Sequence, residues 1–284
     1  GYMIMGKFSG MLFTSDFDHT ITDHAGNVPE RNLEAIRYFI AEGGRFCLNT
    51  GRSIPAARRQ ASRVPCNAPC LLYNGGACYD YREDRLIFAH PLPPEAGELL
   101  PLLADPKVGI EIQGVEAHYS SALIPSREPM LRAAGMETVI TEEPPQPWMK
   151  IVLCGRSGTI LESYSQVDPR ELAFFRELEL KVRRLCGDSY YVTCSMPRVI
   201  EIGNPHCTKA TGARELLRTL GCHTLICAGD APNDTPMLTD ADYAFCPTDC
   251  NPDILRLPGI IPTVPSEEGT IAAAVAWLEE KLGD

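Results

Sequence analysis

The stretch GMLFTSDFDHT, residues 10–20, joins an apolar run to two closely spaced acids. Its first part, residues 10–16, predicts a buried strand because it contains three consecutive apolar residues. If the strand continued, Asp16 and Asp18 would point to the same face, and their carboxylates would repel each other. We therefore predict that the chain leaves the sheet at Asp16, so that both acids lie at the end of the first strand.

Strand-like and helix-like segments alternate after this point, with short connections between them. The expected elements are a helix over residues 29–44, a strand over 45–50, a helix over 54–64 and a strand over 70–76. Strands separated by single helices run parallel and are joined by right-handed crossovers. The pattern therefore predicts an α/β fold built on a doubly wound parallel sheet.

This alternation is interrupted in the middle of the chain and returns near its end. Residues 77–91 predict a hairpin. Three neighbouring antiparallel strands are expected over residues 181–186, 190–194 and 198–202. The first pattern returns with a helix over 208–220, a strand over 223–230 and a last helix over 271–283. We therefore predict a core made of residues 1–76 and 203–284, with an α/β cap domain inserted at residues 77–202.

The composition argues against several classes of protein. The 284-residue chain has a formal charge of −11, which is unsuited to non-specific binding of nucleic acid. No apolar run approaches the roughly 20 residues that span a bilayer, and residues 1–10 lack a signal-peptide layout. The twelve cysteines are scattered without a C-x-x-C pair, which favours free thiols over disulfides or a zinc site. We expect a cytoplasmic protein without nucleic-acid or membrane partners; the sequence does not predict its oligomeric state.

Polar residues that could carry chemistry follow the predicted strands. Ligands of an open parallel sheet bind at the carboxyl ends of its strands, so these residues should meet at one edge. They are Asp16 and Asp18, then Thr50 and Arg52, then Asn74, then Asp230, Asn233 and Asp234, with Lys209 at the start of the helix before the last group. Three of them also fit a purely structural role: Thr50 could cap a helix, Arg52 could form an ion pair, and Asn74 could serve a glycine turn.

The chemistry of this set points to phosphoryl groups. Clustered carboxylates repel one another unless a cation neutralises them, and a site with oxygen ligands only favours Mg²⁺. A carboxylate beside such an ion can attack phosphorus as a nucleophile. Lys209 and the Thr50 hydroxyl could hold phosphoryl oxygens, while a second acid could protonate the leaving oxygen and later activate water.

The same residues resemble the motifs of a known family. DFDHT, LNTGR, Lys209 and GDAPND are similar, in order and placement, to the four motifs of the haloacid dehalogenase superfamily. The inserted module, YNGG at residues 73–76 and the GD-x-x-ND form resemble its Cof-type subfamily, which carries a large α/β cap of type IIB between the second and third motifs. In such enzymes the cap closes over the site and selects the leaving group.

The resemblance implies a role for each matched residue. Asp16 would be the nucleophile and Asp18 the general acid and base. Thr50 and Lys209 would bind the phosphoryl group. Mg²⁺ would be held by the Asp16 carboxylate, the Asp18 carbonyl and Asp230, with Asp234 as a direct or water-mediated ligand and Asn233 in support. The chain departs from the family at His19, where a small residue is usual, and no role is assigned to it.

The expected function is that of a Mg²⁺-dependent phosphatase acting on a small phosphorylated metabolite, in particular a sugar phosphate. This substrate class is implied by the resemblance alone. A phosphomutase is an alternative, because phosphomannomutases share the core and a similar cap. A metabolite-binding protein without activity is a further alternative, although the complete set of catalytic residues counts against it.

Overall fold

The computed structural model describes residues 6–158 and 166–283, and every structural statement below concerns these residues. Half of the stretch 1–10, which lacks the layout of a signal peptide, therefore lies outside the described part of the chain. The first helices and strands are β1 (Met11–Ser15), α1 (Glu30–Ala41), β2 (Arg45–Leu48), α2 (Ile54–Ser62), β3 (Cys70–Leu72), β4 (Ala77–Asp80) and β5 (Arg85–Ala89).

The middle of the chain contains α3 (Leu100–Leu103), β6 (Val108–Gln113), β7 (His118–Ser120), α4 (Glu128–Ala133), β8 (Val139–Ile140), β9 (Lys150–Gly155), α5 (Pro169–Cys186), β10 (Tyr191–Met196) and β11 (Val199–Gly203). The last part contains α6 (Lys209–Thr219), β12 (Thr224–Ala228), α7 (Thr235–Asp240), β13 (Tyr243–Cys246), α8 (Pro252–Leu255), β14 (Ile260–Pro262) and α9 (Thr270–Gly283).

The described residues form two compact units. The first unit takes residues up to 51, residues 59–88 and residues from 208 onward; the second takes residues 52–58 and 89–207. The assignment of a core and an inserted cap with boundaries at 76 and 202 stays a prediction. Within the described ranges, none of the helices has the length and apolar character needed to cross a membrane.

The first unit contains a parallel five-stranded sheet with the order β14-β13-β12-β1-β2. Strand β1 lies between β12 and β2, and Phe13 is opposite both Ile226 and Phe46. Its ring packs against the rings of Phe39 and Phe46 at centroid distances of 5.8 and 5.2 Å. Phe13 is fully buried, and so are Leu12 and Thr14, which point to the opposite face, so β1 is covered on both faces of the sheet. The prediction of a parallel α/β sheet is confirmed.

The third predicted strand, residues 70–76, is wrong in its length and in its sheet. It ends at Leu72 and pairs antiparallel with β4 in a separate three-stranded sheet, β3-β4-β5. A single parallel bridge, Asn49 to Leu71, links β3 to the chain after β2. Tyr73 and Asn74 have φ of 53° and 56°, and this left-handed backbone cannot continue a strand.

The second unit contains a six-stranded sheet with the order β10-β11-β9-β6-β7-β8. One face of this sheet is apolar and belongs to the core that also includes side chains of α3 and α5. The buried side chains of this core include Leu103, Ile112, Ile151, Leu153, Phe175, Val182, Ile200 and Ile202. Strands β10 and β11 are antiparallel neighbours, as the sequence predicts.

The strand predicted over residues 181–186 is wrong, because these residues form the last turns of α5. The helix begins at Pro169, where the Asp168 carboxylate accepts a hydrogen bond from the Arg170 amide at 2.8 Å. Leu178, Val182 and Cys186 are buried at a spacing of four residues, which places them on one helical face. A short window hides this period, since six residues with three apolar positions, Val182, Leu185 and Cys186, fit either a strand or a helix.

Candidate active site

The chain turns away from the sheet directly after β1. The Asp16 amide still donates to the Ala228 carbonyl of β12 at 3.0 Å, and the Phe17 carbonyl then accepts from the amides of Ile21 and Thr22 at 3.0 and 3.1 Å. In this turn Asp16 is half-buried, whereas Asp18 is exposed. The two acids therefore do not share a strand face, which removes the repulsion that a continuing strand would impose.

Asp16 belongs to an acidic cluster, defined here as Asp16, Asp230 and Asp234. Each residue offers a carboxylate oxygen, and these oxygens lie within 4.8 Å of one another. The Lys209 ammonium donates to Asp16 Oδ1 at 3.2 Å and to Asp234 Oδ1 at 2.6 Å. Three of the predicted acids and the predicted lysine are thus brought together, although they lie up to 218 positions apart (16 to 234) in the sequence.

Lys209 reaches the cluster from the first position of α6. The Thr208 side chain caps this helix and accepts hydrogen bonds from the amides of Ala210 and Thr211 at 3.1 and 3.2 Å. A lysine in the first helical turn is unfavourable for the helix dipole, and Lys209 is also buried. Its two carboxylate partners compensate for both costs.

The loop after β12 is organised around Asp234. Its Oδ2 accepts hydrogen bonds from the amides of Asp230 and Ala231 at 2.9 and 3.2 Å. A Cβ on Gly229 would lie 2.6 Å from the Asp234 side chain, so only glycine fits at that position. The Thr20 hydroxyl donates to Asp230 Oδ1 at 3.1 Å and ties the turn after β1 to this loop. The sequence places Thr20 in the turn but gives no sign of this partner.

Burial and mutual repulsion raise the pKa of all three acids in the cluster. Burial, together with the Asp230 and Asp18 carboxylates, raises the pKa of Asp16 to about 8 despite the opposing effect of Lys209. Burial and Asp234 raise the pKa of Asp230 to about 7. Burial and Asp16 raise the pKa of Asp234 to about 6. The carboxylates thus lack sufficient positive charge from the protein.

The cluster fits a divalent cation. Three ionised carboxylates and one ammonium carry a net charge of −2, which one divalent ion would balance. The donors are all oxygen atoms, the ligand type that Mg²⁺ prefers. Asp234 accepts hydrogen bonds on both oxygens, whereas the partners of Asp16 and Asp230 described above use Oδ1. Asp16 and Asp230 are therefore better placed as direct ligands, and Asp234 holds Lys209 and the loop.

Asp18 lies near a residue that the sequence did not indicate. The Gln60 side chain, on α2, donates toward Asp18 Oδ2 at 3.3 Å and Oδ1 at 3.5 Å. Gln60 is only 7 % exposed, which is low for a glutamine. A glutamine in an alanine- and arginine-rich helix is typical of a surface position, so no signal in the sequence could have found this contact.

Thr50 and Asn74 form a packed corner with Gly51. The Thr50 amide donates to the Leu71 carbonyl at 3.0 Å, and the Thr50 carbonyl accepts from the Asn74 amide at 3.2 Å. A Cβ on Gly51 would lie 2.9 Å from Asn74 Oδ1, which explains the glycine there. These contacts give Asn74 a structural role in its turn. Phosphoryl binding by Thr50 stays a prediction.

The remaining predicted residues lie in loops. Asn233 is half-buried in the short turn Pro232–Asp234, directly before Asp234. Arg52 is half-buried and begins the segment 52–58 of the second unit. Their supporting roles stay predictions.

His19 has a defined environment in the structure. It is exposed and has a left-handed backbone with φ of 62°, and its ring stacks on the His24 ring at a centroid distance of 4.7 Å. His24 in turn lies 2.9 Å from the Asp249 carboxylate. The stacking explains how a histidine is held in this position, but its role in the site stays open.

Comparisons with known proteins place this arrangement in a family. The model of the haloacid dehalogenase-like hydrolases matches residues 13–257. No curated protein sequence matches the chain significantly. A haloacid dehalogenase-like hydrolase from Bacteroides thetaiotaomicron has a similar structure, with a TM-score of 0.78, 19% identity, and coverage of 95% of this chain and 99% of that one.

Two further solved structures share the fold. A haloacid dehalogenase-like hydrolase from B. subtilis has a TM-score of 0.74 at 17% identity and covers 93% of this chain and 98% of its own. The subclass IIB sugar phosphatase BT4131 has a TM-score of 0.74 at 16% identity and covers 95% of this chain and 98% of its own. At such identities the structures establish the fold, and the family match extends over most of the sequence. The chain belongs to the haloacid dehalogenase-like hydrolase family, as its four motifs predict.

Proposed function

We propose that the protein is a divalent-metal-dependent phosphatase that hydrolyses a small phosphorylated metabolite, in particular a sugar phosphate. One observation carries this proposal: a single buried lysine bridges Asp16 and Asp234 beside Asp230. The half-buried Asp16 carboxylate can act as a nucleophile. The acidic cluster also has an excess of negative charge, which a bound cation would neutralise. Both are requirements of phosphoryl transfer through an aspartyl-phosphate.

The first step would be the attack of an Asp16 carboxylate oxygen on phosphorus. The bond between phosphorus and the ester oxygen breaks as the new bond forms, and the phosphoryl group passes to Asp16. Asp18, exposed and in contact with Gln60, would give its proton to the departing alkoxide. Gln60 would orient the Asp18 carboxyl for this transfer.

The second step would be hydrolysis of the aspartyl-phosphate. Asp18, now ionised, takes a proton from water as the water oxygen attacks phosphorus, and Asp16 leaves as a carboxylate. Lys209 and the Thr50 hydroxyl would hold the phosphoryl oxygens in both steps, where negative charge develops. Asp234 would keep Lys209 in place.

Asp16 and Asp230, with the Asp18 carbonyl, would hold a divalent ion, for which we propose Mg²⁺. When bound, the ion would neutralise the carboxylates and polarise the phosphoryl group. The donor chemistry and net charge of the acidic cluster support this assignment.

The proposed substrate class is supported by the comparison with a sugar phosphatase of the same fold. The twelve cysteines, all present as thiols, favour the reducing cytoplasm as the location.

The alternative is a phosphomutase, which would pass the phosphoryl group back to a sugar instead of to water. A requirement for a sugar bisphosphate in a turnover assay would favour the phosphomutase, and phosphate release from simple monoesters would favour the phosphatase. The complete set Asp16, Lys209 and Asp230 favours an enzyme over a metabolite-binding protein.

The Asp16→Asn variant tests the proposal. We expect phosphate release from a panel of sugar phosphates with Mg²⁺ to fall by at least about 10⁴-fold, because the amide is a poor nucleophile. The melting temperature should stay equal or rise, since one repelling charge is removed. Asp253→Asn, at an exposed position, is the matched control and should keep full activity. Full activity in Asp16→Asn would disprove the nucleophile assignment.

A further inference from the structure

Two cysteines flank a tight turn that follows β13 in the first unit. Cys246 is the last residue of β13 and is fully buried, whereas Cys250, four residues later, is half-buried. The Cys250 amide donates to the Pro247 carbonyl at 3.3 Å, and this bond turns the chain back toward the end of the strand. Both thiols are free. They therefore lie at the two ends of one short turn.

The two thiols of this turn interact with each other. Cys246 is the hydrogen-bond donor to the Cys250 sulfur, and this contact lowers the pKa of Cys250 although partial burial opposes it. The same contact, together with burial, raises the pKa of Cys246. Cys250 is therefore the member of the pair that forms a thiolate more readily, and the thiolate is the reactive form of cysteine.

Access to solvent and a lowered pKa coincide at Cys250. Four of the twelve cysteines are half-buried, namely Cys66, Cys194, Cys222 and Cys250. Contact with Cys70 raises the pKa of Cys66, and burial raises the pKa of both Cys194 and Cys222. Since a thiol must be both ionised and accessible to attack a molecule in solution, Cys250 is the best placed of these cysteines to react.

Cys66 and Cys70 provide a matched pair within the same unit. They are also four residues apart, and contact with Cys66 lowers the pKa of Cys70. Here, however, the thiol with the lowered pKa is buried in β3 and only 2 % exposed. A dissolved reagent therefore cannot reach the sulfur that is ready to attack. This pair has the same thiol contact without the access, so it serves as an internal control.

The residues on either side of the Cys246–Cys250 pair hold the loop after β12. On one side, the Phe245 carbonyl accepts from the Gly229 amide at 3.1 Å. On the other side, the Asn251 amide donates to the Asp230 carbonyl at 2.9 Å. Because a disulfide allows only a narrow range of geometries, its formation across the turn would pull on both of these hydrogen bonds. The backbone of Asp230, a proposed metal ligand, would then shift.

We propose that Cys246 and Cys250 are a site of reversible oxidation by a low-molecular-weight disulfide, and that the disulfide formed between them displaces Asp230. The oxidation itself is independent of the proposed function, whereas its effect on phosphate release rests on that function. Transient disulfides of this kind are the form in which a protein of a reducing compartment uses thiol oxidation.

The reaction has two steps of thiol–disulfide exchange. The Cys250 thiolate attacks one sulfur of the small disulfide, whose S–S bond breaks and releases one small thiolate. Cys246 then loses its proton and attacks the Cys250 sulfur, which breaks the mixed disulfide and releases the second small thiolate. The two released thiolates take up the two protons that the cysteines lose. Two protein thiols are thus oxidised, and one small disulfide is reduced to two thiols.

Mass spectrometry of the 284-residue chain after incubation with glutathione disulfide tests the oxidation directly. Fragmentation of proteolytic peptides locates each disulfide by its loss of two hydrogen atoms. We expect the Cys246–Cys250 disulfide to form at least about tenfold faster than a Cys66–Cys70 disulfide, because the rate follows access and the thiolate fraction. Equal rates at the two pairs, or no disulfide between Cys246 and Cys250, would overturn the proposal.

Single variants test the order of the two steps. Cys246→Ala, an apolar replacement that suits a buried position, should leave one glutathione attached to Cys250, because the second thiol is missing. Cys250→Ser should take up no glutathione at position 246. Cys66→Ser is the control and should form the Cys246–Cys250 disulfide at the wild-type rate. Glutathione attached to Cys246 in the Cys250→Ser protein would overturn the assignment of Cys250 as the attacking thiol.

Thermal unfolding with increasing Mg²⁺ tests the effect on Asp230. We expect oxidation to weaken the apparent affinity for Mg²⁺ by about fivefold or more, which is the usual size of coupling between two sites. Dithiothreitol should restore the affinity, and Cys250→Ser should give the same Mg²⁺ response with and without glutathione disulfide. An unchanged response in wild-type protein that carries the disulfide would overturn the displacement of Asp230.

The same samples separate this proposal from the proposed function. If the disulfide forms and weakens Mg²⁺ binding while the reduced protein releases no phosphate from any substrate, the phosphatase proposal fails and the thiol pair stands. If the reduced protein releases phosphate but glutathione disulfide does not join Cys246 to Cys250, the thiol pair fails and the phosphatase proposal stands.

Discussion

Two groups of charged side chains, one partly buried and the other buried, are organised in opposite ways. Among the described residues, Lys209 is the one cation that contacts the acidic cluster of the first unit, Asp16, Asp230 and Asp234. The pKa of each of the three acids is raised. In the second unit, Glu111 is as buried as any of them, yet its pKa is lowered well below the ordinary value. Burial alone would raise this pKa, but Arg127 and His118 outweigh it.

The difference separates charges that stabilise a fold from charges that are kept for a ligand. Arg127 donates to both oxygens of Glu111, at 2.8 and 3.2 Å, and so satisfies the carboxylate within the chain. The acidic cluster lacks such compensation, and a protein retains such an imbalance where chemistry needs it. Removal of charges from the cluster should therefore affect activity first, and removal from Glu111 or Arg127 should affect stability first.

Removal of the proposed divalent ion should lower activity strongly, second only to the Asp16→Asn substitution. We expect EDTA to lower phosphate release by roughly a thousandfold or more, because a bound metal contributes several kcal/mol to the transition state. Added Mg²⁺ should restore activity and raise the melting temperature by mass action. The Asp230→Asn variant should lose this rise in melting temperature, while Glu111→Gln should keep it. If Mg²⁺ raises the melting temperature of wild type, Asp230→Asn and Glu111→Gln equally, the ion binds outside the acidic cluster.

Lys209→Met should have the next largest effect. It removes the cation that contacts both Asp16 and Asp234. We expect kcat to fall by about 10²–10³-fold, as for the loss of one donor to a developing charge. Mg²⁺ should raise the melting temperature of this variant more than that of wild type, since the ion becomes the sole counter-charge of the cluster.

The control for this variant is Lys7→Met, which removes an exposed ion pair with Glu279 at 2.6 Å. It should leave kcat and the Mg²⁺ response unchanged. If kcat of the Lys209→Met variant equals that of wild type, the lysine only balances the charge of the cluster and does not bind the phosphoryl group.

Arg127→Met should act on stability. It leaves the Glu111 carboxylate buried without its main partner, which we expect to cost about 3–5 kcal/mol in the free energy of unfolding. Urea denaturation measures this cost. Arg256→Met, which breaks an exposed pair with Asp253, should cost less than about 1 kcal/mol.

The double variant Glu111→Leu/Arg127→Met should be less destabilised than Arg127→Met alone, because no unpaired charge is then left buried. If the single and double variants are equally unstable, lost packing explains the effect and the charge pair does not.

Lowering the pH should produce the smallest change in stability among these predictions. Because the folded-state pKa of Glu111 is lowered, its ionised form adds stability above its unfolded value, about 4.5, and this stability is lost as the pH falls toward the folded value. A single group contributes at most about 1.4 kcal/mol per pH unit. The melting temperature of Glu111→Gln should therefore fall less steeply than that of wild type between about pH 4.5 and 3. Parallel curves would mean that Glu111 does not titrate differently in the folded state.

Much of the site could be predicted because its residues follow strands of one parallel sheet. Asp16 follows β1 and Asp230 follows β12, and these strands are neighbours in the structure. Two strand predictions are wrong for a shared reason. The sequence of a short apolar segment does not determine which other segments it pairs or packs with. Residues 70–76 pair antiparallel and stop early, and residues 181–186 complete a helix that begins at Pro169.

The order of the motifs along the chain, and the acids they contain, are enough to predict the fold class, the family and the cluster around Asp16. They are enough because local spacing and the topology of parallel sheets leave few arrangements. The contact of Gln60 with Asp18 and the hydrogen bond of Thr20 to Asp230 arise from packing between distant segments. Such contacts depend on side-chain volume and burial in three dimensions, which no local pattern of residues encodes.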